Sequence, residues 1–508
     1  MITMKKALSI CLLIAMVAGI CGCGQTRTQT TAQNTESTVQ NTEAAVQDTE
    51  PTEHNTKEVL EDLGNYDFYA GFGRMNITPE EPVPMGGYGA AENRISRATL
   101  DDLYVTGIAL TDKQGQTVLL LNWDGVRSYN EVQGAARNRI SMETGVAVEN
   151  IYIGCTHSHS CPEMTNNKVE SAGRYAELVV EQATACAVKA MSDRKPAKMH
   201  VGSIEAEGLN FVRHYTATDR NGVVSYFGDN FGTAVFNDTT NHTSQADPTM
   251  YMLLFERASA ENIAFINWRA HPHFTGGSSL YNLSADWVGT FRDAFERQTG
   301  VKFLYFQGAS GNINEKSRIF SENITVDYAQ YGSILADYAM ELMKQVTYEK
   351  VDTIITEQNM FEATVNHNED DRYYQAKEYQ TLWNAGVDKE SCEALGLQYG
   401  IRSVYHANAI VSNYNRPKTQ QLELNAIKLG NVAMVTAPNE LFDTNSVWLE
   451  EQAPAAFTLT LGYTNGHYGY LPSQLAWDYS CYESDITYYI SGTAEQVQQT
   501  FLEMLSQM

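Results

Sequence analysis

Short apolar runs that end in polar loops recur along the chain. Four of them have the length and the β-branched or aromatic content of buried strands. They are "NIYIG" before "CTHSHS", "IAFINW" before "RAHPH", "VKFLYF" before "QGASGNIN" and "NVAMVT" before "APNE". Apolar residues at helical spacing between these runs predict helices over residues 172–193 and 328–346.

Strands that alternate with helices indicate a mixed α/β core. Because such folds bind ligands beyond the ends of their strands, the four polar loops are expected to lie on one rim. From Tyr66 onwards no linker rich in Pro, Gly and Ser divides the chain. We therefore predict one large mixed α/β catalytic domain over residues 66–508, with a metal site at the strand ends.

The first 65 residues have a different character. "MITMKKALSICLLIAMVAGICGCG" has a basic pair, an apolar stretch and then small residues, which is the layout of a signal peptide, here residues 1–22. The stretch before Cys23 resembles a bacterial lipobox, so Cys23 is the predicted lipidation site; a cleaved signal without a lipid is the alternative. Residues 23–65, rich in Thr, Gln, Asn and Glu, read as the lipidated N-terminus and a disordered tether. The expected location is the outer face of a bacterial cell membrane, through that lipid anchor.

Charge and cysteine content narrow the function classes. With 61 acidic and 35 basic residues the formal charge is −26, and no basic run follows Lys6. This argues against nucleic acid as a partner and against polybasic membrane binding. The five cysteines after Cys23 include no CxxC pair; Cys155 and Cys161 could form a disulfide or remain free thiols.

The polar loops hold several side chains that bind metals. "CTHSHSCPE" contains His157 and His159, which would face the same side of a continuing strand. Alone, this pair is better explained as a polar loop. The other loops add His271, His273, Glu440, His467 and Tyr470. Two imidazoles and a carboxylate are a usual ligand set for catalytic zinc, which lowers the pKa of bound water to about 7.

Seven segments occur in the order found in a known family. They are "YAGFGRMNITPEEPVPMGGYG", "CTHSHSCPE", "FINWRAHPHF", "LSADWVGTFR", "FQGASGNIN", "APNELF" and "NGHYGYLPSQLAWDYSCYES". Over about residues 66–490 the chain resembles the N-terminal catalytic domain of the neutral/alkaline ceramidase family. The family's C-terminal immunoglobulin-like domain is not expected here.

The resemblance implies a role for individual residues. It implies that His157, His271, Glu440 and Tyr470 bind zinc, that His159 carries protons, and that Tyr482 and Arg213 stabilise charge on the substrate carbonyl. Asn314 falls on the position of a family serine proposed to take part in amide cleavage, and could hold the substrate by its amide.

The predicted function is zinc-dependent hydrolysis of the N-acyl amide bond of ceramide-like or other acyl-amide substrates by metal-activated water. The alternatives are a zinc hydrolase of esters or small acyl-amino compounds, and a non-catalytic binding lipoprotein, for which Asn314 is the best argument. Single residues also have structural alternatives: His271 as a core histidine, Glu440 as a helix cap, Tyr470 and Tyr482 as packing residues.

Overall fold

The computed structural model describes residues 60–508 except 90, 166–167, 229–239, 277–278, 317–325 and 368–369. The predicted signal peptide, Cys23 and the tether as far as residue 59 lie outside the described residues. The described residues form one compact unit. Within the described part of the chain, no helix is both long enough and apolar enough to cross a bilayer.

The described strands are β1 (Phe68–Asn76), β2 (Ala98–Thr99), β3 (Tyr104–Thr111), β4 (Thr117–Trp123), β5 (Ile151–Cys155), β6 (Lys195–Glu205), β7 (Phe211–Val212), β8 (His214–Thr218), β9 (Val224–Gly228), β10 (Thr240–His242), β11 (Thr249–Arg257), β12 (Ile263–Trp268), β13 (Asn282–Leu283), β14 (Lys302–Gln307), β15 (Ile313–Asn314), β16 (Thr347–Glu349), β17 (Ile354–Thr364), β18 (Thr419–Leu429), β19 (Val432–Thr436), β20 (Glu440–Leu441), β21 (Phe457–Leu461) and β22 (Tyr470–Leu471).

The described α-helices are α1 (Asn130–Thr144), α2 (Glu170–Ser192), α3 (Asp286–Thr299), α4 (Tyr328–Met343), α5 (Asp370–Asn384), α6 (Lys389–Tyr399), α7 (Val404–Tyr414), α8 (Asp443–Gln452), α9 (Gln474–Tyr479), α10 (Tyr482–Ile486) and α11 (Thr493–Gln507). The four predicted strands are β5, β12, β14 and β19, and the two predicted helices are α2 and α4. The mixed α/β fold predicted from the sequence is therefore confirmed.

Two sheets form the centre of the fold. The larger runs in the order β14-β12-β11-β6-β1-β3-β4-β5, with β16 also paired to β6, and the smaller in the order β17-β18-β19-β21. Most neighbours are antiparallel; the parallel pairs in these sheets are β4 with β5, β12 with β14, and β19 with β21. All six residues of β12 are buried, because both faces of the large sheet are covered.

The core is layered. Apolar side chains of the two sheets pack between them, for example Phe265 and Leu304 of the large sheet with Val432 and Met434 of the small one. Helices α1 and α2 cover one part of the outer face of the large sheet, and α3 and α4 cover another. Helix α11 covers the outer face of the small sheet.

The edge strands of the large sheet approach each other. A Cβ added at Gly154 of β5 would lie 2.8 Å from the ring of Phe306 in β14, and the Asn122 side chain of β4 donates to the carbonyl of Tyr305. Adjacent strands twist by about 20–25°, so seven steps accumulate to roughly half a turn. The carboxyl ends of β5, β12 and β14 therefore converge, although β5 runs opposite to β12 in the order of the sheet.

Candidate metal centre and cavity

Three side chains from different strand ends meet at the point of convergence. His157 follows β5, His271 follows β12, and Glu440 begins β20. The His157 Nε2 and His271 Nε2 atoms are 3.1 Å apart. Glu440 Oε2 lies 3.5 Å from the first and 3.7 Å from the second. The three residues are almost fully buried.

Backbone carbonyls fix the orientation of both imidazoles. His157 Nδ1 donates to Val126 O at 2.7 Å, and His271 Nδ1 donates to Ile313 O at 3.0 Å. Only a protonated Nδ1 can donate to a carbonyl, so in the neutral ring Nε2 carries the lone pair. The two Nε2 lone pairs thus face one another, and no hydrogen atom joins them. This is the arrangement of metal-binding histidines, whose other nitrogen is held by an acceptor.

His159 completes a group of three histidines. Its Nε2 is 3.3 Å from His157 Nε2, and the ligand atoms of His157, His159 and His271 all lie within 4.8 Å of one another. His159 Nδ1 is buried and has no hydrogen-bond partner among the described residues. The ring of His159 is therefore less firmly oriented than the other two, which suits a proton carrier better than a ligand.

Glu440 lies beside His467 and Tyr470, which both come from the late loops. Its Oε1 is 3.1 Å from His467 Nε2, and the pairing of β20 with β22 sets Glu440 opposite Tyr470. Glu440 Oε2 accepts no hydrogen bond from any described residue. The carboxylate points into the histidine cluster, and does not cap helix α8, which begins at Asp443.

Burial controls the protonation of the cluster. It lowers the pKa of His157 to about 4 and holds those of His159 and His271 well below the ordinary range. Burial opposes ionisation of Glu440, but attraction to His157 and the hydrogen bond with His467 together hold its pKa below the usual value. At neutral pH the cluster is a set of neutral imidazoles around one carboxylate.

The donor set fits a zinc ion. Ligand atoms about 2.0–2.1 Å from a tetrahedral zinc lie roughly 3.3–3.4 Å from one another. The separations of 3.1, 3.5 and 3.7 Å among the two imidazole nitrogens and the carboxylate oxygen scatter around that value. The lone pairs and the unpartnered Glu440 Oε2 all point inward, so the residues fit the ion.

Arg213 is held in a buried ionic network. Its Nε and Nη2 contact Glu483 Oε1 at 2.7 and 2.5 Å, and Nη2 donates to Gly311 O at 2.9 Å. Glu483 Oε2 lies 2.9 Å from His214 Nε2. Burial opposes the charge on Glu483, and Arg213 and His214 together hold its pKa well below the usual range. Arg213 Nη2 is also 3.4 Å from the Tyr470 hydroxyl.

The remaining predicted residues lie on one cavity wall or beside it. The backbone of Asn314 in β15 forms an isolated parallel β-bridge with that of His271. The ring of Tyr482 at the start of α10 is 6.3 Å from that of Tyr470. Ser310 instead bonds to the Tyr463 hydroxyl at 2.8 Å, and Tyr463 stacks on His157. Ser310 thus supports the centre through Tyr463.

A cavity of about 660 Å³ opens onto the cluster. Seven of the eight predicted residues line it: His157, His159, Arg213, Asn314, Glu440, Tyr470 and Tyr482. His271 lies behind them, fully buried.

Some residues of the site were not assigned a role from the sequence. His273 lines the cavity and its Nδ1 is 2.9 Å from Glu315 Oε1; that partner raises the pKa of His273 even though burial opposes it. Glu483 directly follows Tyr482, and Glu315 directly follows Asn314. In the sequence, the only sign of a role for Glu315 and Glu483 is that each follows a residue assigned to the site. Their partners His273 and Arg213 are 42 and 270 residues away in the chain, so the pairings cannot be seen there.

The five described cysteines and Asp286 are buried. The cysteines at 155, 161, 186, 392 and 481 are buried free thiols, so Cys155 and Cys161 do not pair. Asp286 has a structural role: its carboxylate accepts from Thr275 N at 2.7 Å and from Trp287 N at 2.7 Å. It anchors the loop that carries His271.

Known structures share this architecture. A ceramidase solved in complex with C2 is 16% identical with a TM-score of 0.65, over 87% of this chain and 75% of that one. A neutral ceramidase from Pseudomonas aeruginosa is 17% identical with a TM-score of 0.63, over 87% and 74%. No family model and no curated protein matches the sequence. The likeness confirms the predicted resemblance at the level of the fold, and this chain has the fold of the neutral ceramidases.

Proposed function

We propose that the protein is a zinc-dependent hydrolase of N-acyl amide bonds. One observation carries the proposal: two imidazole lone pairs and a buried carboxylate oxygen converge within 3.1–3.7 Å at the base of a cavity. A cation between two neutral imidazoles whose lone pairs face each other would be bound by both nitrogens. The ceramidase fold supports an acyl-amide substrate, ceramide-like or smaller.

His157, His271 and Glu440 would hold the ion, with Tyr470 as the fourth ligand beside Glu440. Bound zinc supplies a Lewis acid for a carbonyl oxygen and lowers the pKa of water to about 7. Arg213 lies close to the Tyr470 hydroxyl and favours its negative form, even though burial holds the pKa of Tyr470 high.

The chain's own groups manage the proton and the substrate. His159 is neutral at pH 7, so it can accept a proton from attacking water and deliver it to the leaving amine. Burial raises the pKa of Tyr482 to about 12, so its hydroxyl keeps its proton and can donate to the substrate carbonyl. The Asn314 amide can hold the substrate. Because water attacks, no serine nucleophile is needed.

Zinc content and hydrolysis test the proposal together. Purified protein should contain about one zinc per chain by mass spectrometry, and should cleave N-acyl amides in a chelator-sensitive way. His157→Ala should lose the metal and reduce hydrolysis by 100-fold or more, since even losing an outer-shell partner costs about 10- to 100-fold.

His200→Ala is the matched control, because His200 pairs with Glu256 on the sheet surface and should retain metal and activity. Asn314→Ala should keep zinc and measurable hydrolysis. Protein without bound metal, or metal-loaded protein that cleaves no acyl amide, would leave the binding-lipoprotein alternative in place.

We further propose that the chain is anchored to the outer face of a bacterial membrane through lipid on Cys23. The basic pair, the apolar stretch and Gly22 before Cys23 support this. In a bacterial host fed a radiolabelled fatty acid, the wild type should carry label and sediment with membranes. Cys23→Ser should do neither, whereas Cys21→Ser should behave as the wild type.

A further inference from the structure

An arginine on the cavity wall has no task in the proposed chemistry. Arg127 lines the cavity and directly follows Val126, the residue whose carbonyl orients His157. The loop is held firmly: Trp123 Nε1 donates to Arg127 O at 3.0 Å, and Ser128 Oγ donates to Ile153 O at 2.9 Å. The backbone of Arg127 is therefore fixed beside the metal centre.

Most N–H groups of the Arg127 guanidinium make no hydrogen bond to a described residue. Its described hydrogen bond is a single one, from Nη1 to Glu163 Oε2 at 3.3 Å, and its side chain is 38% exposed. Glu163 does not depend on it, because Oε1 accepts from Met164 N, Thr165 N and Thr165 Oγ1 at 2.9–3.1 Å. Nε and Nη2 of Arg127 have no acceptor among the described residues.

Arg213, the other arginine of the wall, is buried and has acceptors for its hydrogen-bond donors. It is 6% exposed, and its donors go to Glu483, Gly311 and Tyr470. Among the described lining residues there is no lysine. A substrate anion entering the cavity therefore has Arg127 as its available cationic side chain.

The rest of the wall is aromatic more than aliphatic. The aliphatic side chains of the described lining are those of Val126 and Ile486, whereas five tyrosines contribute rings and hydroxyls: Tyr88, Tyr405, Tyr470, Tyr482 and Tyr488. Tyrosine hydroxyls offer hydrogen-bond partners to the polar groups of a substrate, and the rings offer apolar surface to its acyl chain.

We propose that Arg127 binds a carboxylate close to the scissile bond, so that the substrates are N-acyl amino acids. This rests on the proposed acyl-amide hydrolysis. A guanidinium binds a carboxylate through two parallel hydrogen bonds, and Arg127 has Nε and Nη2 available for them. In a protein with a formal charge of −26, such a local cation also offsets the repulsion of an anionic substrate.

Two substrates that differ only in charge test the inference. The zinc-loaded full chain is assayed with N-octanoylglycine and with the neutral N-octanoylglycinamide. Wild type should prefer the carboxylate by about 10- to 100-fold in kcat/KM, mainly through KM, because hydrogen bonds to charged groups are worth that much. Arg127→Gln should abolish the preference while cleaving the neutral amide at the wild-type rate.

Arg127→Lys should keep part of the preference, and Arg139→Gln, on the exposed face of α1, should keep all of it. Equal cleavage of the two substrates by wild type, or an unchanged preference in Arg127→Gln, overturns the inference and leaves the hydrolase proposal standing.

If wild type cleaves neither substrate, equilibrium binding of N-octanoylglycine decides the carboxylate site, and the panel of other acyl amides decides the proposed function. Binding at least tenfold weaker in Arg127→Gln than in wild type supports the site, and equal binding overturns it.

Discussion

His157 adopts a backbone conformation that its side chain does not favour. Its φ is 64°, in the left-handed region where residues other than glycine are uncommon. Such a conformation costs about 1–3 kcal/mol and persists where surrounding contacts impose it. Here the hydrogen bond to Val126 O and the stacked ring of Tyr463 impose it. Local strain is thus concentrated at the residue nearest the centre of the cluster.

Gly87→Ala should impair catalysis by displacing His159. Gly87 has φ 100°, and a Cβ there would lie 2.9 Å from Cα, Cβ and Cγ of His159. We expect kcat/KM to fall at least tenfold while zinc remains bound, because His157 and His271 are not touched. Gly115→Ala is the control: φ is 92° there, but nothing lies within 4 Å of the added Cβ. Equal losses of kcat/KM in both variants would contradict this prediction.

Asp101 should make stability depend on pH. It accepts from Ser284 Oγ and Ala285 N, but burial raises its pKa to about 7, from 3.8. Between these values the folded protein holds a proton that the unfolded chain releases. The free energy of unfolding should therefore fall as pH rises from 4 to 7, by up to about 1.4 kcal/mol per pH unit.

Urea unfolding at each pH from 4 to 7 measures this slope. Asp101→Asn should flatten the slope, and Asp293→Asn, at an exposed position, should leave it as in the wild type. A slope that is the same in Asp101→Asn as in wild type would rule out Asp101 as its source.

At the scale of elements, sequence patterns located the strands that deliver the site but not all of the strands that complete it. The runs before His157, His271 and Glu440 are long enough to show buried-strand character. In contrast, β15 and β22, which position Asn314 and Tyr470, have two residues each. Two residues display no periodicity, and their pairing depends on β7 and β20 from other parts of the chain.

Helix α11 should contribute strongly to stability through Phe501. That ring is 1% exposed and packs in the cluster that covers the outer face of the small sheet. Phe501→Ala should lower the free energy of unfolding by about 3–5 kcal/mol, through lost burial and the cavity left behind. Gln496→Ala, on the exposed side of the same helix, should change it by less than about 0.5 kcal/mol. Similar urea midpoints for the two variants would contradict the packing described for α11.

At the scale of the whole molecule, the order and curvature of the sheet lay beyond sequence reasoning. The convergence of β5 with β12 and β14 depends on strand pairings over long sequence separations and on twist accumulated across the sheet. Apolar runs specify that strands are buried, but not which strands are neighbours. The resemblance to ceramidases indicated which residues meet at the site, which hydrophobic patterns do not show. It could not indicate Arg127 or the Arg213–Glu483 pair, because those contacts depend on the final packing.

The buried cysteines have a practical consequence. Burial raises the pKa of the thiols of Cys155, Cys161 and Cys186, and a protonated thiol shielded from solvent reacts slowly with alkylating reagents. Native protein should therefore resist iodoacetamide until it opens. The five buried thiols lie in different parts of the core. Peptide mapping of the order in which iodoacetamide modifies them during unfolding would show which part of the core becomes exposed first.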